Sequence, residues 1–204
     1  MSDDIISFNT EELSKVKVNE TPTVPIFSLV PEDDSVLFEV LPEFDFNNPP
    51  VNPIEFASSL VETCKSNRGL GLSANQCGFK YRVFVAGSDD NYVAYFNPKI
   101  IATSSEEKIG VEGCLSYPNL FLNVVRPQVV KVEYQDFNGE IRHATFEGLT
   151  ARVFLHELDH MDGITFKQRA KPLALKSGID KRNKFIHRLE KAAKKLDKLK
   201  KAKR

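Results

Sequence analysis

The feature that most constrains this chain is the pentapeptide His156-Glu157-Leu158-Asp159-His160, set in an amphipathic run. At helical spacing, i and i+4 lie on one face a turn apart, where a single metal ion reaches both imidazoles. Glu157 stands beside the first of them and can reach a water at the ion without coordinating it. The pattern predicts a helix from Ala151 to Met161, capped by Thr150 and ending before Asp162-Gly163. A helix surface that merely carries two histidines gives the same five letters, so a third donor decides the matter. A catalytic site needs three protein ligands and one open position.

Several residues compete for that third place. The extended pattern HExxHxxGxxH keeps its Gly at Gly163 but needs His where Phe166 stands. A later acidic ligand could only be Glu190, which sits in a Lys/Arg-rich tail. His143, in a strand-like run, and His187, in the tail, read as surface or partly packed residues. Cys114 is the better donor; it lies where the strand-like Val111-Glu112-Gly113 run meets Leu115 and Ser116. A lone cysteine is ordinarily a small buried hydrophobe; that is the reading of Cys64 and Cys77, and Cys114 taken alone gets the same one.

The 204 residues are 41% hydrophobic and 27% charged, which suits one globular domain with some chain to spare. Lys+Arg and Asp+Glu number 28 each. This balance hides an asymmetry, because residues 1–50 hold Lys15 and Lys17 as their only bases while residues 181–204 are dense in Lys and Arg. Three cysteines do not make a disulfide framework and point to a reducing, cytoplasmic compartment. The acidic N-terminus fits neither a secretory signal nor a transit peptide, and no apolar run is long enough to span a membrane.

The expected organisation is a poorly ordered acidic segment over residues 1–25, a catalytic domain over 26–180 and a basic helix over 181–204. Residues 26–46 read as extended segments packing on the domain. A helix fits residues 53–67, capped by Asn52, with Pro53 in its first turn and Phe56, Leu60 and Cys64 on one face. Strand-like runs follow at 82–86 and 92–96. Residues 129–135 and 141–147 form a hairpin pattern around Asn138-Gly139. A last helix is expected from Asp180, after Pro172, with Phe185, Leu189, Ala192, Leu196 and Leu199 as an apolar stripe that docks on the domain. The fold class is α+β: short antiparallel strands and hairpins packed around a central helix carrying HELDH, with a C-terminal helix.

Three segments carry a more specific signal. GLGLSANQ at residues 69–76, EGCLS at 112–116 and HELDH at 156–160 resemble the three motifs of the peptide deformylases, in that family's order and at similar separations. The likeness extends into QCGFKYRVFV, into the SYP and Arg126 around the second motif, and into GLTARVFLHELDHMDG. Ser73 and Asn75 stand at variable positions, and Leu155 replaces a frequent Gln. The resemblance implies removal of the N-formyl group from the formylmethionine of nascent polypeptides, an N-terminal processing step of protein biosynthesis that releases formate. It implies metal ligation by Cys114, His156 and His160, with Fe2+ native and Zn2+ or Ni2+ as substitutes. Glu157 becomes the proton carrier, and Gln76 and the backbone N–H of Leu115 become donors to the oxyanion. Gly69, Gly71 and Gly113 allow close backbone approach, and Leu70, Leu115, Leu149 and Val153 are candidate walls for the methionine side chain, though each could equally be core. Glu112 is either a residue that fixes a ligand or a surface carboxylate. The implied partners are formylmethionyl peptides and, through residues 181–204, the ribosome, with neither membrane nor DNA.

Two other readings stay open on the residues alone. A HExxH metallopeptidase would need a His or Glu ligand after His160. A binding protein with a structural metal would need a fourth ligand, for which Cys64 or Cys77 would have to approach the site.

Overall fold

The computed structural model describes residues 24–202, Asp90 excepted; the expectation for the acidic N-terminal segment thus lies almost wholly outside the described residues. Seven strands and four α-helices follow one another among the described residues, with 3-10 turns at Ser35–Phe38 and Ala74–Cys77. The strands are β1 (Gly71–Ser73), β2 (Val83–Ser88), β3 (Asn91–Thr103), β4 (Glu107–Cys114), β5 (Tyr117–Pro127), β6 (Val129–Gln135) and β7 (Ile141–Glu147). The helices are α1 (Pro53–Ser66), α2 (Gly148–Met161), a single turn α3 (Phe166–Arg169) and α4 (Pro172–Ala202). Five strands form an antiparallel sheet in the order β1-β2-β3-β6-β7, while among the described residues β4 and β5 pair only with each other. The α+β expectation holds, with α2 lying between the sheet and the β4–β5 hairpin.

The sheet is held by what its residues can bury. Val83, Phe84 and Val85 of β2 are all fully buried, because helices cover both faces of that strand. Phe84, with Tyr95, Val130 and Val132, packs on Phe154, Leu155 and Leu158 of α2. On the other face, Val83, Val85 and Phe96 meet Phe56, Leu60 and Cys64 of α1. The start of α1 is as expected: the Asn52 side chain accepts from the backbone N–H of Ile54 and Glu55. The helix stops at Ser66, and Arg68 takes a left-handed φ of 57° before Gly69. The hairpin has its own small core, in which Tyr117, Leu120, Leu122 and Val124 pack on Phe166 and Leu175.

Three expectations need correction. The helix of the HELDH motif begins at Gly148, with Glu147 in the N-cap place, so Thr150 lies within its first turn and does not cap it. The last helix starts at Pro172 and not at Asp180, since a proline at the first helical position loses no intrahelical bond. Lastly, its apolar stripe does not dock. Phe185, Leu189 and Leu196 are all 44% exposed or more. Contact with the body is confined to the first part of α4, where Leu175 packs on the hairpin and Arg182 pairs with Glu32 at 2.7 Å. Beyond Ile186 every described side chain is exposed.

Candidate active site

The three sequence motifs meet along one cleft of 580 Å³. Every candidate residue lines it except His160, which is buried with its Nε2 3.3 Å from Cys114 Sγ. Helix α2 supplies His156, Glu157 and His160, the tip of the hairpin supplies Cys114, and the stretch after α1 supplies Gly69, Gly71 and Gln76.

Cys114, His156 and His160 offer donor atoms that all lie within 4.8 Å of one another. The 3.3 Å between Sγ and Nε2 fits two donors each about 2.0–2.3 Å from a shared ion. Burial pushes the His160 imidazole well below its usual range, helped by the charges of His156 and Arg126, which keeps it neutral and able to ligate. The donor set therefore suits a metal ion. Neither Cys64 nor Cys77 joins the group among the described residues. Burial raises both thiols to about 12, and the Cys64 thiol is turned to the carbonyl of Gly69 at 3.3 Å.

Around the group, each polar side chain is fixed by another. Glu112 is no surface carboxylate: it is 5% exposed and lies 2.9 Å from Nδ1 of His156. That contact leaves Nε2 of His156 for the shared point. Burial drives the Glu112 carboxyl upward, but hydrogen bonds from His156 and Arg126 and the arginine's charge outweigh it and hold it at about 2. Arg126 binds both oxygens of Glu112 at 3.0 Å and crosses to Asp159 of α2. Asp159 also receives a two-pronged bond from Arg169.

Glu157 is buried, which raises its carboxyl above the usual range against the pull of the His156 charge and of a hydrogen bond from Ser73. Ser73 Oγ donates to Oε2 at 2.7 Å. The other oxygen, Oε1, rests against Gly71 so closely that a Cβ there would collide with it. Gly71 is thus needed to seat Glu157 as well as to line the cleft. The amide of Gln76 is oriented without ambiguity: its oxygen accepts from Ser73 N–H at 2.8 Å, and its nitrogen points to Ser116 Oγ at 3.0 Å and Cys114 Sγ at 3.4 Å. Leu70 and Leu149 are 44% and 64% exposed, so neither belongs to the core; Val153 and Leu115 are half-buried on the cleft.

Sequence reasoning gave no role to Ser73, Arg152, Asp159 or Arg169. Their partners stand 84, 40, 33 and 10 residues away, so no local spacing reveals them. His143 and His187 are exposed side chains away from the cleft.

The profile of the family described as Polypeptide deformylase matches residues 26–176. The chain belongs to the polypeptide deformylase family. It is 42% identical over 113 residues to the peptide deformylase of Thermotoga neapolitana, covering 55% of this chain and 69% of that one. With the Synechocystis enzyme it shares 37% identity over 133 residues, 62% of this chain and 71% of its relative. Its backbone is similar to the crystal structure of a Synechococcus elongatus peptide deformylase in complex with actinonin, with a TM-score of 0.71, 31% identity, and coverage of 78% and 87%. The deformylase of Thermotoga maritima superposes with a TM-score of 0.66 at 33% identity, over 72% of this chain and 99% of the other. The enzyme is accordingly a hydrolase that removes the formyl group from N-terminal formylmethionine, and the metallopeptidase reading is not favoured. No helix among the described residues is long and apolar enough to cross a membrane.

Proposed function

We propose that the cleft hydrolyses the formyl amide of an extended nascent peptide, with Cys114, His156 and His160 as the metal ligands. One observation carries this reading: the Glu157 carboxylate and the Gln76 amide, each held in a single orientation, converge on the same Cys-His-His group in one cleft. The ion, when bound, supplies a Lewis acid that lowers the pKa of water and polarises the formyl oxygen. A thiolate with two imidazoles suits Fe2+, Zn2+ and Ni2+. We take Fe2+ as native, which makes the enzyme oxygen-sensitive through Cys114.

Glu157 removes the proton of the attacking water and passes it to the leaving amine. Burial favours the protonated carboxyl that the second half of this cycle requires, while Ser73 holds Oε2 still. Gln76 Nε2 and the backbone N–H of Leu115 donate to the oxygen that gains charge as the carbonyl carbon becomes tetrahedral. Leu70, Leu149 and Val153 shape an apolar pocket for the methionine side chain, and main-chain pairing beside Glu112 and Gly113 accepts any sequence beyond it.

The compartment is reducing and cytoplasmic in this reading. The domain spans 26–180, and the basic tail over 181–204 reaches the ribosome. Its exposed Lys/Arg surface and projection from the body support a polyanionic partner. Deleting residues 190–204 should abolish co-sedimentation with ribosomes at low salt while leaving turnover of a short peptide intact; equal co-sedimentation would remove the tail from the reading.

The test of the central reading is formate release from a formylmethionyl peptide. A chelator should abolish it, and anaerobic addition of Fe2+ should restore it. Metal content without turnover would mark the site as structural, and cleavage of internal bonds without formate would reinstate a peptidase.

A further inference from the structure

The three metal-ligating side chains come from two units that no lateral strand pairing joins. His156 and His160 ride on α2, which is packed against the five-stranded sheet. Cys114 sits at the far end of β4, paired with Tyr117 at the tip of a hairpin whose strands pair with no other strand among the described residues. The eight residues of β4 put Cys114 about 23 Å from the hairpin's base, where the chain leaves the β3–β6 ribbon. A swing of about 5° at that base would carry Cys114 some ~2 Å, whereas metal–ligand distances hold to about 0.2 Å. Something other than the backbone ladder must fix the angle between hairpin and helix.

We propose that Arg152 is a positioning residue that locks the β4–β5 hairpin onto α2 and so sets Cys114 against the two histidines. Arg152 stands one turn before His156 on the same helical face. Its Nη1 donates to Glu112 Oε1 at 2.8 Å and to the carbonyl of Val124 at 2.9 Å. Its Nη2 donates to the carbonyl of Lys108 at 2.6 Å. One guanidinium therefore grips both strands of the hairpin and the carboxylate that holds His156. Gly110 makes room for it: a Cβ there would lie 2.7 Å from Cζ and 2.8 Å from Nε. The grip is reciprocal, because Arg126 reaches back from the hairpin to Asp159 of α2. Two arginines pointing in opposite directions resist rotation where one would leave a pivot. The planar fork matters, since an ammonium cannot meet three acceptors spread over two strands.

This inference rests on Cys114, His156 and His160 being the ligands, and cobalt(II) binding separates the two claims. The charge-transfer absorption of a cobalt–thiolate bond reports Cys114 alone. Cys114→Ser must lose that band; if it keeps it, the ligand reading fails. Arg152→Ala should weaken cobalt affinity about 10- to 100-fold, diminish the band at saturating cobalt, and shrink the rise in Tm on metal binding. Arg152→Lys should fall between it and the wild type. Gly110→Ala keeps the guanidinium but pushes it off its seat, and should shift both measurements in the same direction, deciding the matter even if Arg152→Ala fails to fold. Arg142→Ala, which removes a surface arginine paired with Asp136 and Glu140, should behave as wild type. Wild-type affinity and band in both Arg152→Ala and Gly110→Ala would overturn the proposal. So would a lowered apo Tm with an unchanged metal-induced rise, which is a purely structural loss.

Discussion

The five-stranded sheet and the β4–β5 hairpin are both antiparallel β-structure, yet they are held in opposite ways. The sheet is clamped by apolar side chains, with α1 on one face and α2 on the other. The hairpin buries a few apolar residues against α3 and α4, and on its α2 side its Glu112 and Arg126 form a charged network with Arg152 and Asp159 of that helix. Apolar packing is non-directional and tolerates small slips, whereas bidentate ion pairs fix angles. The chemistry is placed where the directional contacts are. Damage to the sheet should therefore appear as lost stability, and damage on the hairpin side as lost metal or lost rate in a protein that still folds.

The largest effect should come from Cys114→Ser. It removes the hairpin's one donor, and metal content and formate release should vanish together, with Tm close to that of the chelated wild type. Full metal retention would break the comparison, since α2 alone would then hold the ion. Glu157→Gln comes next: it keeps shape and hydrogen bonding but cannot carry a proton, so kcat should fall by roughly 10²–10⁴-fold with metal content unchanged. Turnover near wild type would remove Glu157 from proton transfer. Gln76→Leu should lower kcat by roughly 10²–10³-fold; a change confined to KM would make Gln76 a binding residue instead. The smallest effect is on the sheet's side. Asn52→Ala deletes the cap of α1 and should cost about 1 kcal/mol in chemical denaturation, with metal affinity and kcat at wild-type values. Lost metal in that variant would show that the sheet's covering helix and the site are coupled after all.

The same contrast explains what could be read from residues alone. The β6–β7 hairpin was legible to its bounds because Asn138-Gly139 marks its turn, although the loop runs over residues 136–140, with Gly139 N–H bonded to the Asp136 carbonyl and Gly139 at a left-handed φ of 81°. Helix α1 was legible from Asn52, Pro53 and its apolar spacing. The β4–β5 hairpin was not recognised: its turn is Leu115-Ser116, which carries no turn signal, while Pro118 and Pro127 argue against a strand. The proposed metal donors, Glu157 and Gln76 stood out because their motifs are local and ordered. Ser73 and Arg152 did not, because the groups that give them meaning are contributed by other motifs. The stripe of α4 misled, since amphipathic spacing announces an apolar face and says nothing about whether anything covers it.

The thiols of Cys64, buried, and Cys77, half-buried, have a consequence for how this protein can be studied. Alkylating reagents and peroxide attack the thiolate form, and burial raises the Cys64 and Cys77 thiols to about 12, so at neutral pH both should react slowly. Of the three cysteines in the sequence, this leaves Cys114 to account for thiol labelling of the native protein. The stoichiometry of a simple labelling reaction, run with and without added ion, thereby becomes an internal gauge of how full the site is in any preparation.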